Sequence, residues 1–151
     1  MAQGVPERVL LSHGAGGKVM TDLIEKIFLA NYGVRNLTGD DSAVIAVGSA
    51  QIAFTTDSFV VDPIFFPGGD IGRLAVCGTV NDLLTAAARP IALSVSFIIE
   101  EGLEMTTLEA IAASVRNAAD EAGVQVVTGD TKVVPRGSAD KVFITTAGLG
   151  R

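Results

Sequence analysis

Between Pro90 and Glu100 the chain runs Ile91-Ala92-Leu93-Ser94-Val95-Ser96-Phe97-Ile98-Ile99, nine residues rich in apolar and β-branched types. That length suits one strand, and a membrane-spanning helix would need about 20 apolar residues. Any fold for this chain must therefore build a sheet around Ile91 to Ile99 rather than a bundle of helices. Helical periodicity brackets the run on both sides. Val19 to Ala30 places Val19, Leu23, Ile24, Ile27 and Phe28 on one face, with Gly33 as a stop. Ile71 to Ala88 reads as a second helix ended by Pro90. Thr106 as N-cap and Glu109 reaching back predict a capping box for a third helix, with Leu108, Ile111, Ala112, Val115 and Ala119 inward and Gly123 at its end.

The remaining segments are strands. Ala43 to Val47 and Gln51 to Thr55 flank Gly48-Ser49-Ala50 and predict a hairpin. Val124 to Val134 and Val142 to Leu149 close the chain around a Pro135-Arg136-Gly137-Ser138 turn. The order α-β-β-α-β-α-β-β predicts an α+β fold, a mainly antiparallel sheet with helices on one face. With no linker or repeat, residues 1–151 are expected to form one domain.

Charge and composition exclude several functions. Seventeen acidic residues against eleven basic ones, a net charge of −6, argue against unaided nucleic-acid binding. The N-terminus lacks the basic and long apolar regions of a secretory signal. One cysteine, Cys77, rules out an internal disulfide and any multi-cysteine zinc site within these residues; its apolar neighbours predict a buried thiol. A cytoplasmic domain without membrane segments is expected. At 19% charged residues the chain falls below the roughly 25% of ordinary domains, which predicts a face covered by another subunit or domain.

The aspartates carry the chemical signal. They gather at Gly39-Asp40-Asp41-Ser42, Thr55-Thr56-Asp57-Ser58, Asn81-Asp82 and Thr128-Gly129-Asp130-Thr131. Aspartate in such settings also caps helices and closes turns. Yet Asn-Asp is a poor choice for a helix interior, and Asp57 at a strand end would meet Asp82 near mid-helix if that helix crosses the strand ends. Two carboxylates of this kind suit Mg²⁺ held jointly with substrate phosphates. Gly14, Gly16 and Gly17, ahead of the first helix, form a loop whose amides are able to approach phosphates. The loop matches neither the Walker A pattern nor GxGxxG, and a plain mobile loop fits it as well. Lys132 reads either as a phosphate contact or as an outward strand lysine. His13, the one histidine, reads as a loop residue, and no Ser/His/Asp triad can be argued.

The run TTDSFVVDPIFFPGGDIGRLAVCGTVNDLL, with VTGDTKVVPRG after it and HGAGG before it, resembles the N-terminal domain of the HypE family, hydrogenase maturation factors of the PurM-like ATP-binding superfamily. The resemblance covers nearly all of the chain. It implies an ATP-dependent carbamoyl dehydratase that converts a carboxamide on its own C-terminal cysteine to a thiocyanate, for the cyanide ligands of [NiFe]-hydrogenase. It implies HypF as carbamoyl donor, the HypC–HypD complex as cyanide acceptor, and a homodimer formed through the sheet. By motif, Asp57 and Asp82 would bind Mg²⁺. Asp40, Asp41, Asp130 and Lys132 would contact the ATP phosphates, and Gly14, Gly16 and Gly17 would cover the nucleotide. The second domain and thiol-bearing tail of the family are absent from these residues. No catalytic residue is therefore assigned, and the chain alone is expected to bind ATP without turnover. Two other readings remain. One is a different synthetase or kinase of the superfamily; the other is a non-catalytic dimerisation and docking module for maturation partners.

Overall fold

The computed structural model describes residues 8–33 and 40–151, which fall into two units, Met1–Thr38 and Gly39–Arg151. In the first unit a single turn at Leu11–Gly14 precedes α1 (Gly17–Leu23). The helix runs on through a π-helical stretch, Ile24–Leu29, into α2 (Ala30–Tyr32). Gly33 closes it in the left-handed conformation, φ 69°, as its position in the sequence predicts. His13 lies in the opening turn rather than an irregular loop, and Leu10 N donates to its Nδ1 at 2.9 Å.

The second unit is a six-stranded sheet with two helices on one face. β1 (Ala43–Val47) and β2 (Ala50–Phe59) form the predicted hairpin, β2 being longer than expected. A two-stranded ribbon, β3 (Phe65–Phe66) and β4 (Gly69–Asp70), leads into α3 (Ile71–Thr85). Then follow β5 (Pro90–Glu100), α4 (Met105–Ala122), β6 (Gln125–Thr128), β7 (Thr131–Val134) and β8 (Val142–Gly150). The strand order is β1-β2-β8-β5-β6, with β7 also on β5. The apolar run that demands a sheet lies inside it, between β8 and the β6–β7 edge.

Three expectations need correction. The segment 124–134 is not one strand: β6 and β7 both pair parallel with β5 and are interrupted at Gly129-Asp130. A side chain at Gly129 would place its Cβ 2.0 Å from the Val95 carbonyl oxygen, so the backbones touch there. β8 does not fold back on β7 but inserts antiparallel between β2 and β5. The sheet remains mainly antiparallel, as predicted. The capping box at Thr106 does not form, because the helix already begins at Met105 with Glu104 as N-cap and no side-chain cap bond.

Alternation puts Ala53, Thr55 and Phe59 of β2, Leu93, Val95 and Ile99 of β5, and Val142, Ile144 and Thr146 of β8 against the helices. From the helices come Ile71, Ala75, Val76 and Leu83 of α3 and Ile111, Val115, Ala118 and Ala119 of α4. Ala118 is buried where Ala112 was expected to be, since Ala112 points outward. Each fully buried Ile or Leu stabilises this layer by about 1.5–3 kcal/mol.

α3 is fixed at its start by Asp70, whose Oδ1 accepts from Gly72 N at 2.7 Å and Arg73 N at 3.1 Å. Ser114 Oγ donates to the other oxygen, tying α3 to α4. A Cβ on Gly72 would lie 2.6 Å from Ile111 O, so the two helices cross at backbone distance. α3 ends at Thr85, earlier than predicted, because Ala87 turns to φ 54° before the chain enters β5 at Pro90. Among the described residues no helix is long and apolar enough to cross a membrane.

Candidate functional site

Thr55 and Asp57 alternate onto the helix-facing side of β2. α3 passes over them with Gly78 at the crossing. A Cβ on Gly78 would lie 2.8 Å from Phe59 Cε1 and 3.8 Å from Asp57 Oδ2, so the missing side chain lets the helix settle beside Asp57. Asp82, four residues further on, shares the helix face of Gly78. It lies in the last turn of α3 rather than near its middle, and Asp57 lies within β2 rather than at its end.

Hydroxyl groups fix this corner. Thr55 Oγ1 lies 3.1 Å from Asp82 Oδ2 and 2.8 Å from the Asp41 carbonyl oxygen. Ser42 Oγ donates to the Asp82 carbonyl at 2.7 Å, and Thr85 Oγ1 does the same at 2.7 Å. Asp41 is thereby brought beside Asp82 as well. Partial burial pushes the Asp82 carboxyl up from its ordinary pKa. The Thr55 hydrogen bond opposes that shift, while the charges of Asp57 and Asp41 add to it. Asp40, Asp41 and Ser42 then line a cleft of about 370 Å³ with Val44, Thr85 and Ala86.

The donor set suits a hard cation. All the side-chain donors are oxygens, and the last turn of α3 carries no basic residue to offset the negative end of its dipole. Among the described residues no Lys or Arg forms an ion pair with Asp40, Asp41, Asp57 or Asp82. Nor does any group of three or more His, Cys, Asp or Glu among them converge closely enough to hold a metal unaided. Mg²⁺ commonly takes one or two carboxylates and completes its shell with phosphate oxygens and water.

Asp130 and Lys132 lie elsewhere. Asp57 pairs with Thr146, Thr146 with Val95, and Gly129 abuts Val95, so the β6–β7 break sits three strands across the sheet from Asp57. At about 4.8 Å per strand that is about 14 Å. There Lys132 Nζ approaches Asp130 Oδ2 at 3.0 Å, both side chains being exposed. The lysine hydrogen bond, the Thr131 amide and the lysine charge hold the Asp130 carboxyl below its ordinary range. Lys132 is therefore exposed and engaged by an aspartate partner. Gly14, Gly16 and Gly17 belong to the first unit, where Gly16 and Gly17 take φ of 79° and 71° and open α1. Cys77 is half-buried rather than buried. A larger cleft, about 480 Å³, is lined by Pro63, Phe65, Leu103 and Arg136 among others and contains none of these aspartates.

Sequence reasoning missed Ser42, Thr55 and Gly78. Thr55 was within reach, since its i, i+2 spacing from Asp57 puts both on one strand face. Gly78 carried no local signal.

Residues 39–151, which coincide with the second unit, match the family described as AIR synthase related protein, N-terminal domain. The chain belongs to that family. It is also similar to carbamoyl dehydratase HypE of Rhodobacter capsulatus, 54% identical over 147 residues, which are 95% of this chain and 43% of that protein. Among solved structures, HypE in a HypE–HypF complex superposes with a TM-score of 0.77 at 50% identity, covering 85% of this chain and 41% of that one. HypE in complex with ATP gives 0.67 at 53% identity, covering 95% and 43%. The chain thus corresponds to the N-terminal domain of HypE carbamoyl dehydratases and spans less than half their length.

Proposed function

We propose that this chain is the nucleotide-binding and dimer-forming half of an ATP-dependent carbamoyl dehydratase, which converts a cysteine S-carboxamide to a thiocyanate for hydrogenase maturation. The observation that carries the reading is Asp82 at the β2–α3 crossing, held by Thr55 and under the charge of Asp57 and Asp41, none of the three aspartates having a cationic partner among the described residues. The similarity to HypE in complex with ATP supports the choice of nucleotide.

Asp57 and Asp82 would hold Mg²⁺, which when bound neutralises triphosphate charge and draws electrons from the γ-phosphoryl group. Ser42, Thr55 and Thr85 hold Asp82 in place. Asp40 and Asp41 line the adjoining cleft, where the phosphates would lie. Lys132 would shift from Asp130 to a phosphate oxygen, with Asp130 retaining it when nucleotide is absent. In the whole reaction the amide oxygen would take the γ-phosphoryl group of ATP, with release of ADP and one N–H proton. Phosphate and the second N–H proton would then leave, and a C≡N bond remains on sulfur. The chain's share is orientation and charge screening.

A homodimer would form through the open sheet face, where Phe54, Thr56 and Ser58 of β2, Thr145, Ala147 and Leu149 of β8, and Ser94, Ser96 and Ile98 of β5 bring no charge. HypF and the HypC–HypD complex are the proposed partners in the cytoplasm, HypF because a relative forms a HypE–HypF complex. That same open sheet face also favours a second reading, a docking module that does not process ATP. Calorimetric titration with MgATP separates the two. Asp82→Asn weakens binding if the site is functional; unchanged affinity together with intact partner binding would leave the docking module.

A further inference from the structure

A carboxylate in the last turn of a helix is poorly placed for a ligand, because helix ends fray and the side chain has several staggered rotamers. Asp82 escapes that freedom through Thr55. The Thr55 side chain is 3% exposed, and its single hydroxyl proton faces two acceptors, Asp41 O at 2.8 Å and Asp82 Oδ2 at 3.1 Å. From the opposite side Ser42, the neighbour of Asp41, donates to the Asp82 main-chain carbonyl. The Asp41–Ser42 segment and the end of α3 are therefore laced together by two hydroxyls. Only Thr55 reaches a carboxylate oxygen. Among the described residues no donor reaches Asp82 Oδ1.

We propose that Thr55 is a positioning residue for the cation site, holding Asp82 Oδ2 and the Asp41 carbonyl so that Asp82 presents Oδ1 to the ion beside Asp57. The proposal rests on the reading of Asp57 and Asp82 as ligands. It goes beyond that reading by assigning the geometry of the site to a neutral hydroxyl that binds neither ion nor nucleotide. The methyl group of Thr55 packs in the core layer and contributes to stability like any small buried group. The hydroxyl serves the site. Valine keeps the branched shape and loses the donor, whereas serine keeps the donor and loses the methyl.

Mn²⁺ binding in the presence of ATP, followed by the loss of the free-ion electron paramagnetic resonance signal, tests this directly. Thr55→Val is expected to raise the Mn²⁺ dissociation constant about tenfold, equal to about 1.4 kcal/mol, and Thr55→Ser to change it less than about twofold. Binding of ATP without metal should be the same in both. Thr55→Cys, with a weak donor, should fall between them and replaces valine if the latter fails to fold, as judged by thermal melting. A valine variant that binds Mn²⁺ like the parent, or a serine variant as weak as valine, would overturn the proposal. Asp82→Asn run in parallel separates the two claims. Weak binding there with unchanged binding in Thr55→Val removes only the role of Thr55, while unchanged binding in Asp82→Asn removes the ligand assignment as well.

Discussion

Two aspartate clusters occupy one row of the sheet and have opposite electrostatic characters. At the β2–α3 crossing Asp82 is partly buried, faces Asp57 and Asp41, and has its pKa pushed up. At the β6–β7 break Asp130 is exposed, pairs with Lys132 and has its pKa pulled down. Both descend from the same kind of motif, an aspartate among Gly, Thr and Asn. The difference lies in what the fold packs around each one. The first cluster is short of positive charge; the second has neutralised itself.

The largest expected effect breaks that symmetry outright. Asp82→Asn should weaken MgATP binding roughly tenfold or more, and Asp130→Asn by no more than about threefold, because the latter removes a carboxylate already engaged by its lysine. Calorimetry on both variants checks the ratio. Equal losses would mean that the two clusters work as one site.

Both clusters also depend on a glycine, and the neighbours differ. At Gly129 a Cβ would press on the Val95 backbone at 2.0 Å, whereas at Gly78 it would press on the end of the Phe59 ring at 2.8 Å. Ring atoms yield more readily than a main-chain carbonyl. Gly78→Ala should cost about 1–3 kcal/mol and Gly129→Ala more than that, measured by denaturant unfolding. Gly78→Ala should in addition weaken MgATP binding, since it lifts α3 from Asp57.

The smallest effects have opposite signs. Asp82 has a raised pKa in the folded state, so its protonated form favours folding below the unfolded pKa, and that contribution is lost as pH rises through the folded value. Removing its charge with Asp82→Asn should therefore raise the melting temperature at neutral pH, the gain shrinking under acid conditions. Asp130 has a lowered pKa, so its contribution is present above the unfolded pKa and is lost as pH falls through the folded value. Asp130→Asn should lower the melting temperature slightly at neutral pH and leave it unchanged in acid. Melting curves of both variants across the acid range check the two signs; a shared sign would remove the electrostatic contrast.

The same contrast marks where sequence reasoning worked. Local patterns set β1, β2, α3 and β5, because hydrophobic alternation, helical spacing and Pro90 act over a few residues. That α3 crosses β2 near Asp57 also follows from a helix laid on a strand, although Asp57 lies within β2 and Asp82 in the last turn of α3 rather than at a strand end and mid-helix. What escaped was non-local. Nothing near Gly129 signals that the Val95 carbonyl occupies its side-chain space and divides an apparent strand into β6 and β7. Nor does β8 indicate locally that it inserts between β2 and β5. Thr106 and Glu109 form a sound capping box on paper, yet α4 begins two residues earlier, with Glu104 as N-cap, and leaves it unused. Thr55 reads as an ordinary strand threonine until α3 is laid across it.

The most direct test is a crystal structure with Mn²⁺ and a non-hydrolysable ATP analogue, the ion located by anomalous scattering. The account predicts Mn²⁺ at the carboxylates of Asp57 and Asp82, with Thr55 still on Asp82. Mn²⁺ at Asp130, or none at the β2–α3 crossing while the analogue is bound, would contradict it.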